Sequence, residues 1–360
     1  MTRVLTLSVD QLYRRQPGGI GTYVNGLVRG LVDLAPPELT VVGLAPKGPP
    51  PPEVRDLPLE VSSAGLPLAL LIRAWPWWPL GVPRAAHIVH ATSMAGPFGG
   101  GATDAVHSVA VHDLLWRDEP SATTPSGRRF HEQRLQLLAR REHIRIFLTS
   151  PDLGERLATE GFARSRLHPV RLGSDDDALV PAGVPEVREL LEAHGVSGPF
   201  TLYAGTREPR KNIERLIEAH SLARLEQPEL GPLVIVGPSG WGNVVTWDAV
   251  ILGRVERAML KGLFRDAAVV AYVPLSEGWG LPPVEALHAG ARVVASSTTP
   301  SMRANNEVVL VDPYCVTSIG EGLVAAAQLG RDELSAARRR LSVADLTWRN
   351  AALDHLRGWQ

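Results

Sequence analysis

The chain has 360 residues, which is long for one typical domain and predicts two. Its 37 basic and 38 acidic side chains give a formal net charge of −1, so bulk attraction to nucleic acid is not expected. The one cysteine excludes an internal disulfide, and with no signal peptide and no apolar run of membrane-spanning length the chain is expected in the cytoplasm.

The first half of the chain alternates short apolar runs with helical patterns. Such alternation is typical of a parallel sheet with helical crossovers. The sequence predicts strands over 4–9, 39–44, 87–90, 108–111, 146–149 and 167–172, and helices over 21–34, 127–145 and 152–160.

Residues 173–187 break this alternation. They contain the acidic triplet Asp175, Asp176 and Asp177 together with two prolines. We interpret the segment as a linker between domains. A solvated loop is favoured over a metal site for the triplet.

The second half restarts the same alternation. Two α/β domains, each a doubly wound parallel sheet, are therefore expected to face a cleft, with ligands at the carboxyl ends of the strands. The sequence predicts strands over 200–204, 233–236, 269–273 and 291–295, helices over 213–225, 257–264 and 284–289, and a last amphipathic helix near 346–353.

The most informative segment lies between Glu277 and Glu285. A predicted strand leads into it and a predicted helix leads out, with a glycine-rich turn between them. Glycines let the backbone approach a ligand closely, and a helix N-terminus offers free N–H groups to anionic oxygens. A carboxylate accepts hydrogen bonds from paired hydroxyls. The segment therefore predicts a site for a phosphate and a polyol, as in a sugar nucleotide.

A second candidate site follows the predicted strand 200–204. Arg210 and Lys211 lie near the start of the next predicted helix, where the helix dipole disfavours cations. A phosphate bound between these cations and the helix would remove the conflict. An ordinary exposed loop is the alternative for this segment taken alone.

Two segments of the first half are weaker candidates. His112 ends the predicted strand 108–111, where ligands gather in parallel sheets, although a lone histidine is more often structural. Residues 17–23 hold three glycines before the first predicted helix, and Val24 replaces the last glycine of a dinucleotide fingerprint. We expect a flexible loop there that suits a phosphate or a polar substrate.

Four segments in this order resemble the family-four retaining glycosyltransferases of the GT-B fold: GGIGTY, VHDLLW, AGTREPRKN and EGWGLPPVE. Further matches extend the resemblance over nearly the whole chain, and the Gly-Thr-x-x-Pro-Arg-Lys-Asn form is similar to bacterial mannosyltransferases. The resemblance implies a Rossmann-like acceptor-binding domain over 1–180, a Rossmann-like nucleotide-sugar-binding domain over 188–338, and a C-terminal helix over 339–360 that returns to the first domain.

The resemblance also implies roles for individual residues. Lys211 and Arg210 would hold the donor diphosphate and stabilise the leaving group. Glu277 and His112 would contact the transferred sugar, and Glu285 would accept the ribose hydroxyls. The other implied donor-binding residues are Gly205, Thr206, Arg254, Val255, Gly278, Trp279, Gly280 and Leu281. The implied acceptor-side residues are Gly18, Gly19, Ile20 and Tyr23.

The family's favoured mechanism is a front-face displacement, so Glu277 is not assigned as a covalent nucleophile. No metal and no cofactor are implied, because Arg210 and Lys211 would supply the positive charge. The sequence departs from many relatives at Thr206, where they have arginine, and at Trp279, where phenylalanine is commoner. Residues 300–306 also lack the usual Pro-Glu.

The transferred hexose is expected to come from a nucleotide sugar. The motif subset suggests GDP-mannose, and UDP- and dTDP-linked sugars remain open, as does a glycan, lipid-linked or secondary-metabolite acceptor. A GT-B protein that binds nucleotide sugars without transferase activity is the alternative, which Thr206 would favour. A sugar-nucleotide epimerase is disfavoured by the two glutamates, and a cofactor-dependent phosphorylase would need Lys211 or Lys261 as its lysine. The sequence does not indicate the oligomeric state.

Peripheral contact with the inner face of a membrane is a further open question. Residues 66–82 carry Trp75, Trp77 and Trp78, and residues 127–171 are rich in arginine. Internal packing of the first segment and a solvated helix face in the second are the favoured interpretations.

Overall fold

A computed structural model describes residues 2–99, 104–174, 181–242 and 244–360. These residues form two compact units. Unit 1 holds the described residues of Met1–Arg117, Thr123–Gly173 and Leu346–Gln360, and unit 2 holds those of Asp118–Ala122 and Ser174–Asp345. The acidic triplet Asp175, Asp176 and Asp177 of the predicted linker lies outside the described residues.

Unit 1 is built on a parallel sheet with strand order β3-β2-β1-β4-β5-β6-β7. The order changes direction between the first and fourth strands, which is where ligands bind in sheets of this kind. The strands are β1 (Arg3–Ser8), β2 (Leu39–Ala45), β3 (Glu60–Ser63), β4 (Ile88–Ala91), β5 (Val106–Val111), β6 (Arg145–Leu148) and β7 (Leu167–Pro169).

Unit 2 has a second parallel sheet, with strand order β10-β9-β8-β11-β12-β13. Its central strands are short apolar runs with every residue buried, as expected where helices cover both faces. The strands are β8 (Thr201–Ala204), β9 (Leu233–Val236), β10 (Val250–Gly253), β11 (Val269–Tyr272), β12 (Val293–Ser296) and β13 (Val308–Val311).

Helices connect the strands, and several begin at the expected polar caps. Thr124, Ser150 and Thr347 each accept a hydrogen bond from a backbone N–H of the helix that follows. The helices are α1 (Gly18–Leu34), α2 (Pro52–Arg55), α3 (Leu68–Ala74), α4 (Leu115–Asp118), α5 (Pro125–Ala139), α6 (Pro151–Thr159), α7 (Val184–Glu192), α8 (Ile213–Glu226), α9 (Arg257–Asp266), α10 (Leu281–His288), α11 (Val316–Ala327), α12 (Glu333–Leu341) and α13 (Trp348–Trp359). The predicted pair of parallel sheets with helical crossovers is confirmed.

One helix begins earlier than the sequence predicts, and another, which the sequence did not predict, begins inside the predicted linker. α1 begins at Gly18 rather than at residue 21, so the glycine-rich segment expected to be a flexible loop is its first turn. The Gln11 side-chain amide, 2.8 Å from the Pro17 carbonyl, anchors this start. α7 begins at Val184, inside the segment interpreted as a linker. Tertiary contacts, which local patterns do not show, set these boundaries.

The last helix packs against the first helix of unit 1. A Cβ added at Gly26 would lie 2.1 Å from the Trp348 ring, and one added at Gly30 would lie 2.2 Å from the Trp348 carbonyl oxygen. Arg349 also pairs with Asp33, with 2.7 Å between Nη1 and Oδ2. The tail predicted as one helix over 339–360 instead contains the end of α12, which belongs to unit 2, and all of α13, which belongs to unit 1.

The tryptophan-rich segment divides into a buried and an exposed part. Trp75 is fully buried and its indole N–H donates to the Leu80 carbonyl at 2.9 Å, whereas Trp77 and Trp78 are 55% and 63% exposed. Within residues 2–99, 104–174, 181–242 and 244–360, no helix is both long and apolar enough to cross a membrane. Peripheral membrane contact stays a prediction.

Candidate active site

The site predicted from the second half of the chain lies at the carboxyl edge of the unit 2 sheet. The segments that follow β8 and β11 start side by side, because these two strands are neighbours. The Leu275 N–H donates to the Arg210 carbonyl at 2.9 Å and joins the two segments. Residues far apart in sequence are thereby held at one edge, where parallel sheets bind ligands.

A left-handed residue fixes the first segment. Pro209–Lys211 form one turn of 3₁₀ helix, and Asn212 then adopts φ 60° before α8 begins. Asparagine tolerates this conformation better than most residues. Its side-chain amide donates to the carbonyls of Val273 at 3.0 Å and Pro313 at 2.7 Å. The turn that carries Arg210 and Lys211 is thus tied to the interior of the unit.

The predicted charged residues form one compact cluster. Arg210 Nη1 lies 2.5 Å from Glu277 Oε1, and the Lys211 ammonium donates to the same carboxylate oxygen. Lys211 Nζ also lies 2.9 Å from the Tyr272 hydroxyl, and Arg210 Nη2 lies 2.7 Å from Glu208 Oε1. Two cations and two carboxylates therefore neutralise one another.

Burial and charge set the protonation of this cluster. Burial by itself would raise the pKa of Glu277, but Arg210 and Lys211 outweigh it and hold that pKa at about 2. Burial lowers the pKa of Lys211, and the Glu277 carboxylate opposes that change. Burial, and then the charge of Glu277, raises the pKa of the Tyr272 hydroxyl. Glu277 is thus a fixed carboxylate, which excludes it as a proton donor near neutral pH.

The glycine-rich turn after Glu277 packs against residues 299–301. Gly280 has φ 97°, and a Cβ there would lie 2.4 Å from Thr299 Cγ2. The Ser301 hydroxyl donates to the Gly280 carbonyl at 2.8 Å, and its N–H donates to the Trp279 carbonyl at 3.0 Å. Thr299 and Ser301 therefore fix the shape of the turn.

The start of α10 presents few backbone donors. Pro282 and Pro283 follow Leu281 and have no N–H, so the first turn can offer only the N–H groups of Leu281 and Val284. The helix start therefore offers an anion fewer N–H groups than usual, and anion binding by the turn Gly278–Leu281 stays a prediction.

Glu285 and the residues after β10 lie at this edge as well. The Glu285 side chain is 18% exposed, and its Oε1 is 3.9 Å from Arg257 Nη2 at the start of α9. Arg254 is exposed and directly follows β10. These positions fit ligand contacts, which stay a prediction.

Gly205 and Thr206 pack against the segment that follows β9. A Cβ added at Gly237 would lie 2.1 Å from the Gly205 carbonyl oxygen, so the two backbones touch. The Thr206 carbonyl accepts a hydrogen bond from the Tyr203 hydroxyl at 3.1 Å. Thr206 adds no charge to this part of the site.

A pocket of about 470 Å³ opens beside the charged cluster. Its lining includes Glu208, Glu214 and Glu218, with Arg215 as its one basic side chain. The carboxylates of this lining outnumber its basic side chain, whereas Arg210 and Lys211 balance Glu277 and Glu208 in the cluster. The cluster therefore suits a diphosphate better than this pocket.

In unit 1, His112 follows β5 and is half-buried. Its Nε2 lies 2.8 Å from the Thr92 carbonyl oxygen, so Nε2 carries the hydrogen and donates. Burial lowers the pKa of His112, although Thr92 and Asp113 oppose it, and the ring is neutral with Nδ1 as its acceptor. Nδ1 suits a hydroxyl donor.

Of the predicted acceptor-side residues, Tyr23 lies in the interior of unit 1. Its hydroxyl is 2.8 Å from Nε2 of both His90 and His355. Because His355 Nδ1 donates to the Ala351 carbonyl at 2.7 Å, Tyr23 donates to His355 and accepts from His90. Because Tyr23 is fully buried, a direct contact with the sugar acceptor is not favoured. Gly18, Gly19 and Ile20 form the first turn of α1 and stay candidates.

The sequence analysis missed two members of the cluster, Glu208 and Tyr272. Glu208 lies two residues before Arg210, and Tyr272 ends a strand beside the strand that contains Tyr203. A tyrosine near the carboxyl end of each of two neighbouring buried strands was the available signal, because a buried hydroxyl needs a partner.

Comparison with known proteins agrees with this fold. Residues 192–328, which contain the charged cluster, match the family described as Glycosyl transferases group 1. The chain is 27% identical over 234 residues to O-antigen chain mannosyltransferase B of Escherichia coli, a match that covers 61% of each protein. The chain thus matches less than two thirds of that relative's length.

Solved structures share the fold over the whole length. Sucrose-phosphate synthase from Thermosynechococcus elongatus gives a TM-score of 0.73 at 18% identity, with 99% of this chain and 98% of that chain covered. HepE of Anabaena, in a complex with UDP-glucose, gives a TM-score of 0.72 at 14% identity, with 99% of this chain and 98% of that chain covered. The resemblance stated from the motifs is confirmed: residues 192–328 match the group 1 glycosyltransferases, and the chain has the GT-B fold.

Proposed function

We propose that this protein transfers a hexose, with mannose favoured, from a nucleotide sugar to a hydroxyl of a glycan, lipid-linked or secondary-metabolite acceptor, with retention of anomeric configuration. The buried cluster of Arg210, Lys211 and Glu277, held by two neighbouring strand ends, carries the proposal. The similarity to an Escherichia coli mannosyltransferase supports mannose. The sugar nucleotide bound to HepE supports the donor class.

The diphosphate of the donor would bind to Arg210 and Lys211. Both cations are largely buried, with 22% and 9% of their side chains exposed, so their attraction to a diphosphate is weakly screened. Because Glu277 and Glu208 already balance their charge, binding requires the diphosphate to take over part of the Glu277 contact. The N–H groups of Gly278–Leu281 would bind the remaining phosphate oxygens.

Glu277 and His112 would orient the transferred sugar. Glu277 remains ionised and offers acceptor lone pairs to a ring hydroxyl. Its contact with two cations makes it a poor nucleophile, which supports a front-face displacement. In that step the bond from the anomeric carbon to the diphosphate oxygen breaks, the acceptor oxygen bonds to the same face, and its proton passes to the departing diphosphate.

Glu285 would accept the two ribose hydroxyls, with Arg254 and Val255 beside the base. Arg210 and Lys211 would supply the positive charge that the leaving diphosphate needs. Turnover is therefore expected to persist in EDTA, without any added metal ion. Gly18, Gly19 and Ile20 would lie on the acceptor side.

Thermal unfolding with GDP, UDP and dTDP tests the donor class, because a ligand that binds only the folded state raises the midpoint. One nucleotide is expected to raise it strongly. Glu285→Gln should weaken that nucleotide about tenfold, since charge-assisted bonds to the ribose are lost, and leave pyrophosphate binding unchanged. Equal weakening of both ligands would contradict the ribose assignment.

Transfer from GDP-mannose, and from the UDP- and dTDP-hexoses, then tests the activity, with the product anomer read by NMR. Retained configuration supports the proposal, and inversion overturns the front-face step. Tight nucleotide-sugar binding with no turnover for any acceptor class would instead establish a binding protein without transferase activity, an outcome consistent with the missing arginine at Thr206.

A further inference from the structure

A second pocket of unit 2 lies at the opposite edge of the sheet from the charged cluster. It has a volume of about 480 Å³ and is lined by the residues just before β11 and β12, the C-terminal end of α10, and helices α9 and α12. The amino ends of the strands meet here. Ligands of parallel sheets bind at the carboxyl edge, so the proposed donor site does not account for this pocket.

The lining of this pocket is strongly basic. Its acidic side chains are Asp266 and Glu333. Each already has a basic partner: Arg265 Nε lies 2.6 Å from Asp266 Oδ1, and Arg340 pairs with Glu333. The basic side chains are Lys261, Arg265, Arg292, Arg331, Arg339 and Arg340. The pocket thus has a clear excess of positive charge.

Two of these arginines are built into the interior of the unit. Arg292 and Arg339 are each 3% exposed. Arg292 donates to the carbonyls of Ala268 and Ala327, and Arg339 donates to those of Gly290 at 2.8 Å and Gly330 at 3.1 Å. Neutral carbonyls satisfy their hydrogens, and Glu229 near Arg292 and Glu307 and Asp332 near Arg339 offset only part of their charge. The remaining buried charge is weakly screened.

Like-charge crowding is visible in the pKa of Arg292. Burial, and then repulsion from Arg331 and Arg339, lowers that pKa to about 10. Arg331 lies at the exposed start of the segment before α12, and Lys261 is half-buried on α9. Both side chains are long enough to reach a ligand at the mouth of the pocket.

Capping of helix ends accounts for part of this arrangement. Arg339 satisfies a carbonyl at the end of α10, where cations are favourable. Capping does not need six basic side chains around one cavity, nor the exposed Arg331. The excess beyond capping indicates a ligand that brings negative charge.

We propose that this basic pocket binds a phosphate-bearing anion, separately from the donor site. Arg292 and Arg339 supply a fixed positive potential at its base, and Lys261 and Arg331 contact the phosphate oxygens. The anion is either a free phosphate compound or the headgroup of an anionic lipid, since both present the same oxygens.

Calorimetry with pyrophosphate tests this pocket, using Lys211→Ala to weaken the donor site. A pyrophosphate site should persist in Lys211→Ala and lose about tenfold or more in affinity when Lys261→Ala and Arg331→Ala are added. The pair Arg224→Ala and Arg349→Ala removes as many positive charges away from the pocket and should leave that affinity unchanged. If both double variants lost pyrophosphate affinity equally, the effect would come from net charge alone and the proposal would be overturned.

Cosedimentation with vesicles distinguishes the two sources. Binding to vesicles of phosphatidylglycerol and phosphatidylcholine that is lost in Lys261→Ala/Arg331→Ala identifies a lipid headgroup. Pyrophosphate binding without sedimentation identifies a free phosphate compound. If the full chain binds neither probe at this pocket, so that Lys261→Ala/Arg331→Ala changes no affinity, the proposal is wrong.

Discussion

At the scale of single residues, the central feature is that Glu277 forms ion pairs with Arg210 and Lys211, the two cations proposed to bind the donor diphosphate. Removing one partner from a buried ion pair costs about 3–5 kcal/mol, because the other charge is left without compensation. A bound diphosphate would keep the two cations compensated, and a sugar hydroxyl that donates to Glu277 would compensate the carboxylate. The cluster is therefore stable without a ligand and still able to accept a diphosphate.

This exchange predicts opposite effects of one substitution on binding and on turnover. Glu277→Gln should bind the nucleoside diphosphate at least as tightly as the wild type, because a competing carboxylate is gone. Its kcat should fall about 100-fold, because a contact to the sugar in the transition state is lost. Calorimetry and steady-state kinetics measure the two effects.

Glu208→Gln is the matched control for Glu277. Glu208 also pairs with Arg210, at 2.7 Å, but has no proposed contact with the sugar. Its substitution should leave kcat within about threefold of the wild type, far from the loss expected for a transition-state contact. A weaker nucleotide affinity in Glu277→Gln, with kcat preserved, would show that the carboxylate positions the cations instead of the sugar.

At the scale of elements, two residues with left-handed backbone conformations position the site residues that follow the strands. Asn212 turns the chain into α8 with φ 60°, and Gly280 turns it into α10 with φ 97°. Each is held by hydrogen bonds to a different element, so the position of the charged side chains depends on residues 273, 301 and 313. The site is thus assembled by turns whose partners are remote in sequence.

Gly280→Ala should therefore lower donor binding and turnover. The new Cβ would lie 2.4 Å from Thr299 Cγ2, which pushes the turn away from its support. Gly195→Ala is the control, because Gly195 has φ 76° and nothing within 4 Å of an added Cβ. Both variants carry the conformational cost of about 1 kcal/mol, and only Gly280→Ala should lose nucleotide affinity, as thermal-shift titration would show. Equal affinity in the two variants would contradict the role of this turn.

At the scale of the whole chain, the sequence predicted the parts whose signals are local. The central strands of both sheets, the two glutamates and the Arg-Lys pair all carry such signals, and the structure brings Arg210, Lys211 and Glu277 together as expected. The start of α1, the pairing of Glu208 with Arg210 and the division of the tail between α12 and α13 depend on contacts between distant residues. Hydrophobic patterns and caps do not encode which distant residue completes a contact.

The packing of α13 against α1 in unit 1 depends on such a contact and allows a direct test. α13 rests on α1 where Gly26 faces the Trp348 ring, which is buried. Gly26→Ala should destabilise unit 1 by about 1–3 kcal/mol through overpacking, and Trp348→Ala by about 3–5 kcal/mol through the cavity it leaves. Chemical denaturation of each variant, followed by a probe in unit 1, measures these values.

The double variant decides whether the two helices are coupled through this contact. In Gly26→Ala/Trp348→Ala the added methyl meets no ring, so the combined loss should fall short of the sum of the single losses by about 1 kcal/mol or more. Gly127→Ala, in which an added Cβ lies 3.0 Å from Thr124 Oγ1 and far along the chain from this contact, should combine additively with Trp348→Ala. Additive losses in both pairs would show that the close contact between Gly26 and the Trp348 ring does not contribute to the stability of unit 1.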